Sequence, residues 1–271
     1  MEKVGNILTY FKTALANQFD EQEIYSWAYL SINHILGFSK SDCILRRNEP
    51  LTEETQNQFL QIVEELKSEK PIQYILRVAD FYGLTLKVNE NVLIPRPETE
   101  LIIEFVLEIY KNKDEKRTFA DLGTGSGAIG ISLALSNPQW DGIATDIDKD
   151  VIDIASRNFA NFPNKSNLKF YCGNWWDPFK DLEVQIDLAI ANPPYIPKDT
   201  YENLPIEVKK FEPKIALLGG EDGLDHIKEI IEYAPFYLKD KGWLLIENHF
   251  DQGERVKKLF LDNRFTSVKI L

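Results

Sequence analysis

The most constraining stretch of this sequence is the step from Thr118-Phe119-Ala120-Asp121-Leu122 into Gly123-Thr124-Gly125-Ser126-Gly127, with a helical pattern beginning at Ala128. A short apolar run that enters a glycine turn and leaves as helix reads as one βα unit of a wound sheet. Glycines let such a turn take positive φ and approach a ligand closely. The alternation continues along the chain: helical periodicity over residues 98–110, 128–136, 149–159 and 223–236 and near the end, strand texture over 142–146, 168–172, 186–191 and 243–247. Strands separated by helices predict an α/β domain, doubly wound around a mainly parallel sheet, with its ligand at the carboxyl ends of the strands.

The first seventy residues carry helical periodicity alone. Ile7, Tyr10, Phe11 and Leu15 form one apolar stripe, Ile24, Trp27, Ala28, Ile32, Ile35 and Leu36 a second, and Phe59, Ile62, Val63 and Leu66 a third that Thr52 is placed to cap. This predicts a small helical bundle over residues 1–72, with Trp27, Tyr29, Phe38 and Phe59 in its core. From Pro71 the texture alternates, with turns at Tyr82-Gly83 and Asn89-Glu90-Asn91. A β-hairpin connector over 73–95 is therefore expected, leading into the α/β domain at 96–271.

Composition narrows the function classes. Lys and Arg number 31 against 43 Asp and Glu, a net charge of −12, and the acidic excess holds both before and after residue 95. Binding to DNA or RNA through phosphates needs a basic surface, so no direct nucleic-acid contact is expected. Cys43 and Cys172 lie far apart without CxxC or Cys/His spacing, so they are expected as reduced thiols, with no metal site. Charges and amides interrupt the N-terminal stretch, and no apolar run approaches the roughly 18 residues of a membrane span. The expectation is a cytoplasmic, monomeric protein with no membrane attachment.

The loop spacing leaves two cofactor classes open. Gly123, Gly125 and Ala128 satisfy the loosest dinucleotide fingerprint, whereas Gly127, with Asp121 two residues before the first glycine, resembles motif I of S-adenosylmethionine-dependent methyltransferases. No Gly-Lys-Ser/Thr follows, which excludes a Walker A loop. Asp146 closes a strand where a carboxylate can accept from the ribose hydroxyls of either cofactor or cap the next helix, and Asp148 reads as a helix start.

Asn192-Pro193-Pro194-Tyr195, at the end of the strand over 186–191, points to the reaction. It resembles the N/D-P-P-Y/F/W signature of methyltransferases that act on planar nitrogens. Such a nitrogen is a poor nucleophile because its lone pair is delocalised. Its two N–H groups can be held by the Asn192 side-chain oxygen and the Pro193 carbonyl, while the prolines stiffen the loop and Tyr195 packs on the amide face. With a neutral thioether leaving, positioning and oriented acceptors matter more than a strong base, so no catalytic histidine is expected from His34, His226 or His249.

With these motifs the chain resembles the release-factor glutamine N5-methyltransferases of the HemK/PrmC type. The likeness adds Pro71-Ile72-Gln73-Tyr74-Ile75, Phe81-Tyr82-Gly83, Ile94-Pro95-Arg96-Pro97-Glu98-Thr99-Glu100, Phe211-Glu212-Pro213, Gly219-Gly220 and Gly223-Leu224, and covers nearly the whole chain. It implies a seven-stranded-type methyltransferase sheet and S-adenosyl-L-methionine as methyl donor, released as S-adenosyl-L-homocysteine. The implied substrate is the glutamine of the Gly-Gly-Gln motif in peptide chain release factors, gripped in part by the helical domain. Cofactor contacts would come from Gly123, Thr124, Gly125, Ser126, Gly127, Asp146, Trp175 and Asn192, with Trp176 the alternative to Trp175 beside the adenine. Asn192, Pro193, Pro194 and Tyr195 would hold the glutamine, and Asn192, Pro193 and Tyr195 would carry the catalysis. Arg96 and Glu98 read equally as active-site neighbours or as a salt-bridged helix start.

Three residues depart from the family pattern: Arg77 near a usual glycine, Asn174 for an acid, and His249 near a common glycine. The family also continues through another strand beyond FTSVKIL, so the C-terminal strand is expected to be missing and a sheet edge exposed. Two rival substrates share the tetrapeptide: a glutamine of a ribosomal protein, and an exocyclic amine of nucleic acid.

Overall fold

Side-chain caps start three of the N-terminal helices. The computed structural model describes residues 1–112, 114–163 and 167–271, which form two units, Met1–Arg77 and Val78–Leu271. The first holds α1 (Ile7–Leu15), α2 (Glu21–Leu36), α3 (Lys40–Leu45), α4 (Glu53–Lys67) and α5 (Ile72–Leu76). Asp20 accepts from Gln22 N–H ahead of α2, Ser39 and Asp42 form a capping box on α3, and Thr52 accepts from Thr55 N–H ahead of α4. The core is Ile7, Phe11, Leu15, Ile24, Ala28, Ile32, Phe59, Val63 and Leu66, each at most 1% exposed.

Of the four aromatics expected in that core only Phe59 is fully buried; Trp27, Tyr29 and Phe38 are half-buried. Their remaining faces are covered by neighbours that an apolar stripe does not reveal. Phe19 packs edge-on to Trp27, Lys40 lies 5.0 Å from the Tyr29 ring centre, and Arg46 lies 4.7 Å from that of Phe38. Residues 73–76, expected as hairpin, belong instead to α5, because Tyr74 and Ile75 N–H both return to the Pro71 carbonyl.

The second unit opens with β1 (Val78–Phe81) and β2 (Leu84–Lys87), an antiparallel pair turning at Tyr82 and Gly83 with φ of 48° and 74°. There follow α6 (Glu100–Ile109), β3 (Thr118–Leu122), α7 (Ala128–Ser136), β4 (Asp141–Asp146), α8 (Lys149–Ala160), β5 (Asn167–Cys172) and β6 (Ile186–Ala191). The chain ends through α9 (Lys198–Glu202), α10 (Ile206–Phe211), α11 (Asp225–Tyr237), β7 (Leu238–Ile246) and α12 (Gly253–Asp262). The sheet order is β5-β4-β3-β6-β7, and each neighbouring pair is parallel.

Alternation along the strands sorts two cores. Phe119, Leu188 and Ile190 face one core with Ile103 and Val106 of α6 and Ile131 and Leu133 of α7. Ala120, Leu122, Ala189 and Ala191 face the other with Ile227, Ile230 and Ile231 of α11 and Val256 and Phe260 of α12. The doubly wound parallel sheet expected from the sequence is present. It has five strands among the described residues, where the seven-stranded type was expected, and residues 265–271 after α12 form no strand. β7 starts five residues earlier than its apolar run, because Leu238 pairs with Ile186; residues 239–242 bulge out before Trp243 pairs with Leu188, with Lys241 at φ 64°.

Arg77 occupies the left-handed region at φ 58° as the C-cap of α5. A Cβ there costs about 1 kcal/mol, which explains why glycine suits the place. Arg77→Gly is expected to raise the unfolding free energy by about 0.5–1 kcal/mol in urea denaturation.

Candidate active site

All five strands of the sheet deliver residues to one end. Gly123 follows β3, Asp146 closes β4, Trp175 comes shortly after β5, Asn192 follows β6 and Glu247 follows β7. β3 pairs with β4 on one side and β6 on the other, so the chain direction splits there and leaves a crevice beyond the carboxyl ends. The crevice is a cavity of about 1080 Å³, counting its open mouth. Its wall includes Gly123, Thr124, Gly125, Ser126, Asp146, Trp175, Asn192 and Pro194. Gly127, Pro193 and Tyr195 are not part of that wall.

The glycine loop is held by its neighbours before any ligand is considered. Gly123 and Thr124 N–H donate to the Thr145 carbonyl at 2.9 and 2.8 Å, and Gly125 N–H donates to Asp146 Oδ2 at 3.0 Å. The other Asp146 oxygen accepts from Asp148 N–H, while Asp148 itself caps α8 by accepting from Asp150 N–H. Burial raises the Asp146 pKa, with hydrogen bonds from Gly125 and Asp148 opposing it. Gly123 sits at φ 73°, and a Cβ on it would come within 2.7 Å of the Trp175 ring, so glycine is required by conformation and by space. Gly127, at φ 87°, is the N-cap of α7.

Asp121 was noted in the sequence only for its spacing, and its role here is structural. Its Oδ2 accepts from the Thr124 hydroxyl at 2.6 Å and from Gly130 N–H at 2.8 Å, tying the loop to the first turn of α7. The carboxyl is wholly buried, and its Oδ1 has no partner among the described residues. Burial pushes its pKa up to about 6, against those two hydrogen bonds.

The two tryptophans separate clearly. Trp176 is core: its Nε1 donates to the Ile230 carbonyl at 3.0 Å and its ring stacks on Tyr237. Trp175 is held at φ 38° with its carbonyl accepting from the Thr145 hydroxyl, and its ring lines the cavity beside His226. Asn174, the departure from an acidic residue, also borders the cavity, with its amide turned to Glu229 of α11.

On the other side of the crevice, the Asn192 amide donates to Thr99 Oγ1 at 3.1 Å, and Thr99 Oγ1 donates to Glu247 Oε2 at 2.7 Å. The Tyr195 hydroxyl donates to Glu247 Oε1 at 3.2 Å, and burial together with that carboxylate raises the Tyr195 pKa. Burial raises the Glu247 pKa against the bonds from Thr99 and Tyr195, while Glu98 raises it further. Behind the tetrapeptide, Gln252 Nε2 donates to the Tyr195 carbonyl at 2.9 Å, and a Cβ on Gly219 would meet the Pro194 carbonyl at 2.7 Å. That close approach gives a physical reason for Gly219.

Several pairings around the site are not readable from sequence spacing. Arg96 pairs with Glu212, not Glu98: one guanidinium nitrogen reaches both carboxylate oxygens at 2.6 and 2.8 Å, and the Glu212 side chain is 2% exposed. The strings around Arg96 and Glu212 thus meet across 116 residues of sequence. Asn158 joins the hairpin to the glycine loop, exchanging hydrogen bonds with Lys87 and donating to the Ser126 carbonyl. No local pattern marks Asn158 or Gln252, and Thr99 entered only within the string from Ile94 to Glu100. His249 pairs with Asp251, and His226 borders the cavity.

An S-adenosyl nucleoside fits the wall chemically. The strand-end carboxylate of Asp146 borders the cavity, space for a Cβ lies open at Gly125, and the buried Trp175 Nε1 has no acceptor among the described residues. The fold is that of methyltransferase catalytic domains: the hMettl16 catalytic domain, solved with a MAT2A 3′UTR hairpin, aligns with a TM-score of 0.55 at 14% identity over 95% of this chain and 83% of that one. Family comparison matches residues 6–76 to a PrmC N-terminal domain and residues 99–205 to a methyltransferase small domain. Relatives named release factor glutamine methyltransferase include one from Streptococcus pneumoniae, 37% identical over 95% of this chain and 89% of its own length. One from Bacillus cereus is 40% identical over 83% and 80%. The chain belongs to the release factor glutamine methyltransferase family.

Because the raised pKa of Asp121 belongs to the folded state, the stability it contributes is full below its ordinary value of 3.8 and is lost as pH rises through about 6. Asp121→Asn is therefore expected to gain on the order of 2 kcal/mol relative to the parent between pH 4 and pH 8, as read by urea unfolding at each pH. A pH-independent difference would show that burial does not control this carboxyl.

Proposed function

We propose that this protein transfers a methyl group from S-adenosyl-L-methionine to the side-chain amide nitrogen of the glutamine in the Gly-Gly-Gln motif of peptide chain release factors. The observation that carries the reading is the shared cavity, whose wall contains Gly123, Thr124, Gly125, Ser126 and Asp146 together with Asn192 and Pro194. Family membership supports both the donor and the substrate.

S-adenosyl-L-methionine, when bound, would supply an electrophilic sulfonium methyl: as the N–C bond forms, the C–S bond breaks to leave neutral S-adenosyl-L-homocysteine, and the amide nitrogen releases one of its two protons. The chain's own work is to hold and to orient. Gly123, Thr124, Gly125, Ser126 and Gly127 shape the cofactor seat, Asp146 accepts from the ribose hydroxyls and Trp175 lies beside the adenine, in preference to Trp176. Asn192 Oδ1 and the Pro193 carbonyl accept from the two N–H groups of the substrate amide, and Pro194 and Tyr195 keep the loop stiff around it. Neither backbone nitrogen of the Pro-Pro pair carries a hydrogen, so the loop presents acceptors only. The amide is held still with its N–H groups occupied, which suits a transfer limited by alignment.

The N-terminal helical unit is proposed to grip the release factor. The net charge of −12 suits a partner with the basic surface needed to work against ribosomal RNA, where opposite charges speed encounter. No helix among the described residues is long and apolar enough to cross a membrane. We place the protein in the cytoplasm as a monomer without direct nucleic-acid contact.

The test is radiolabelled methyl transfer to purified release factor, to its Gly-Gly-Ala version, to ribosomal protein and to tRNA. Label is expected in the release factor alone; label in tRNA or ribosomal protein but not in release factor overturns the reading. Asn192→Ala is expected to bind S-adenosyl-L-homocysteine within about threefold of the parent while losing about 100-fold in transfer rate. Calorimetry and single-turnover transfer separate the two effects.

A further inference from the structure

Glu247 lies where three segments meet. Its backbone N–H donates to the Ala191 carbonyl at 3.0 Å, extending the β6–β7 pairing to the residue just before Asn192. Its two carboxylate oxygens take hydrogens from Thr99 and from Tyr195. A carboxylate has no hydrogen to give, so the single hydrogen of the Thr99 hydroxyl is committed to Glu247. Thr99 Oγ1 can then only accept from Asn192, and the amide atom facing it at 3.1 Å must be Nδ2. The opposite branch of the planar amide, Oδ1, takes no hydrogen bond from any described residue, and Asn192 lines the cavity.

This direction matters for the reaction. A glutamine amide nitrogen offers only donors, so it needs Oδ1; an Asn192 turned over would set N–H against N–H. The two orientations of an asparagine have nearly the same shape, and packing alone cannot choose between them. We propose that Glu247 and Thr99 are positioning residues that set the direction of the Asn192 amide, so that its oxygen meets the substrate nitrogen. The inference rests on the reading above that Asn192 receives a substrate amide. Tyr195, bound to the same carboxylate, couples the last residue of the tetrapeptide to the first.

The test uses Thr99→Val, which keeps the shape and removes the hydroxyl, Thr99→Ser, which keeps the hydroxyl, and Glu247→Leu, which removes the acceptor. For methylation of purified release factor, Thr99→Val and Glu247→Leu are expected to lower kcat about 10-fold, with KM and the affinity for S-adenosyl-L-homocysteine within about threefold. Thr99→Ser is expected to stay within about twofold of the parent. In ¹⁵N-asparagine-labelled protein, the side-chain NH₂ signal of Asn192, assigned by its loss in Asn192→Ala, is expected to be slow to exchange in the parent and Thr99→Ser and fast in Thr99→Val. A merely structural role predicts instead that kcat, cofactor affinity and melting temperature fall together. That pattern, or a kcat within twofold of the parent in both Thr99→Val and Glu247→Leu, overturns the proposal. Should Thr99→Val fail to fold, Glu247→Leu decides, since it removes the carboxylate that takes the Thr99 hydrogen. If the parent methylates no release factor, the functional reading fails, and the exchange of the Asn192 amide, which needs no substrate, still decides the proposal.

Discussion

The parallel pairing of β3 with β4 on one side and with β6 on the other is the constraint on which the rest of the site depends. It sets Leu122 level with Thr145 and with Ala191, so the three strands end together and their next residues share one crevice. Gly123 and Thr124 can then reach the Thr145 carbonyl, Asp146 can take Gly125 N–H, and Asn192 emerges opposite the glycine loop. Each strand end also leaves backbone groups without a ladder partner, and the neighbouring strand-end residues satisfy several of them.

Three acids, one buried and two half-buried, share a common logic. Asp121, Asp146 and Glu247 stand near the strand ends, each has its pKa raised by burial, and hydrogen bonds from hydroxyls or backbone N–H oppose that rise. An acceptor-only group in such a place commits every neighbouring donor to a direction. Asp121 commits Thr124 and Gly130, Asp146 commits Gly125 and Asp148, and Glu247 commits Thr99 and Tyr195. The acidity that gives this chain its net charge of −12 thus includes carboxylates that order the interior of the site.

Much of this was legible from residue pattern. The alternation of strand and helix after residue 96, the glycine loop, Asp146 at a strand end and the prolines at 193 and 194 all lie where local spacing put them. Local signals failed where a tertiary partner overrode them. The strand expected from Trp243 is extended back to Leu238 by the pairing of Leu238 with Ile186, with residues 239–242 bulged between the two paired stretches. Trp27, Tyr29 and Phe38 read as core, yet Tyr29 and Phe38 border a groove where Lys40 and Arg46 cover their rings, and Trp27 is covered by the edge of Phe19.

What was readable in the residues alone is the order of elements and the chemistry each loop offers, because hydrophobic period, glycine and proline act over a few neighbouring positions. Pairing across distance was decided by the fold. Arg96 finds Glu212, Asn158 joins Lys87 to Ser126, and Thr99 links Asn192 to Glu247 because packing against the sheet brings segments from far along the chain within hydrogen-bonding reach. The two adjacent tryptophans are separated in the same way: Trp175 borders the cavity, while Trp176 Nε1 donates to the Ile230 carbonyl in the core under α11. Hydrogen bonds act over about 3 Å, and only tertiary packing sets which groups come that close.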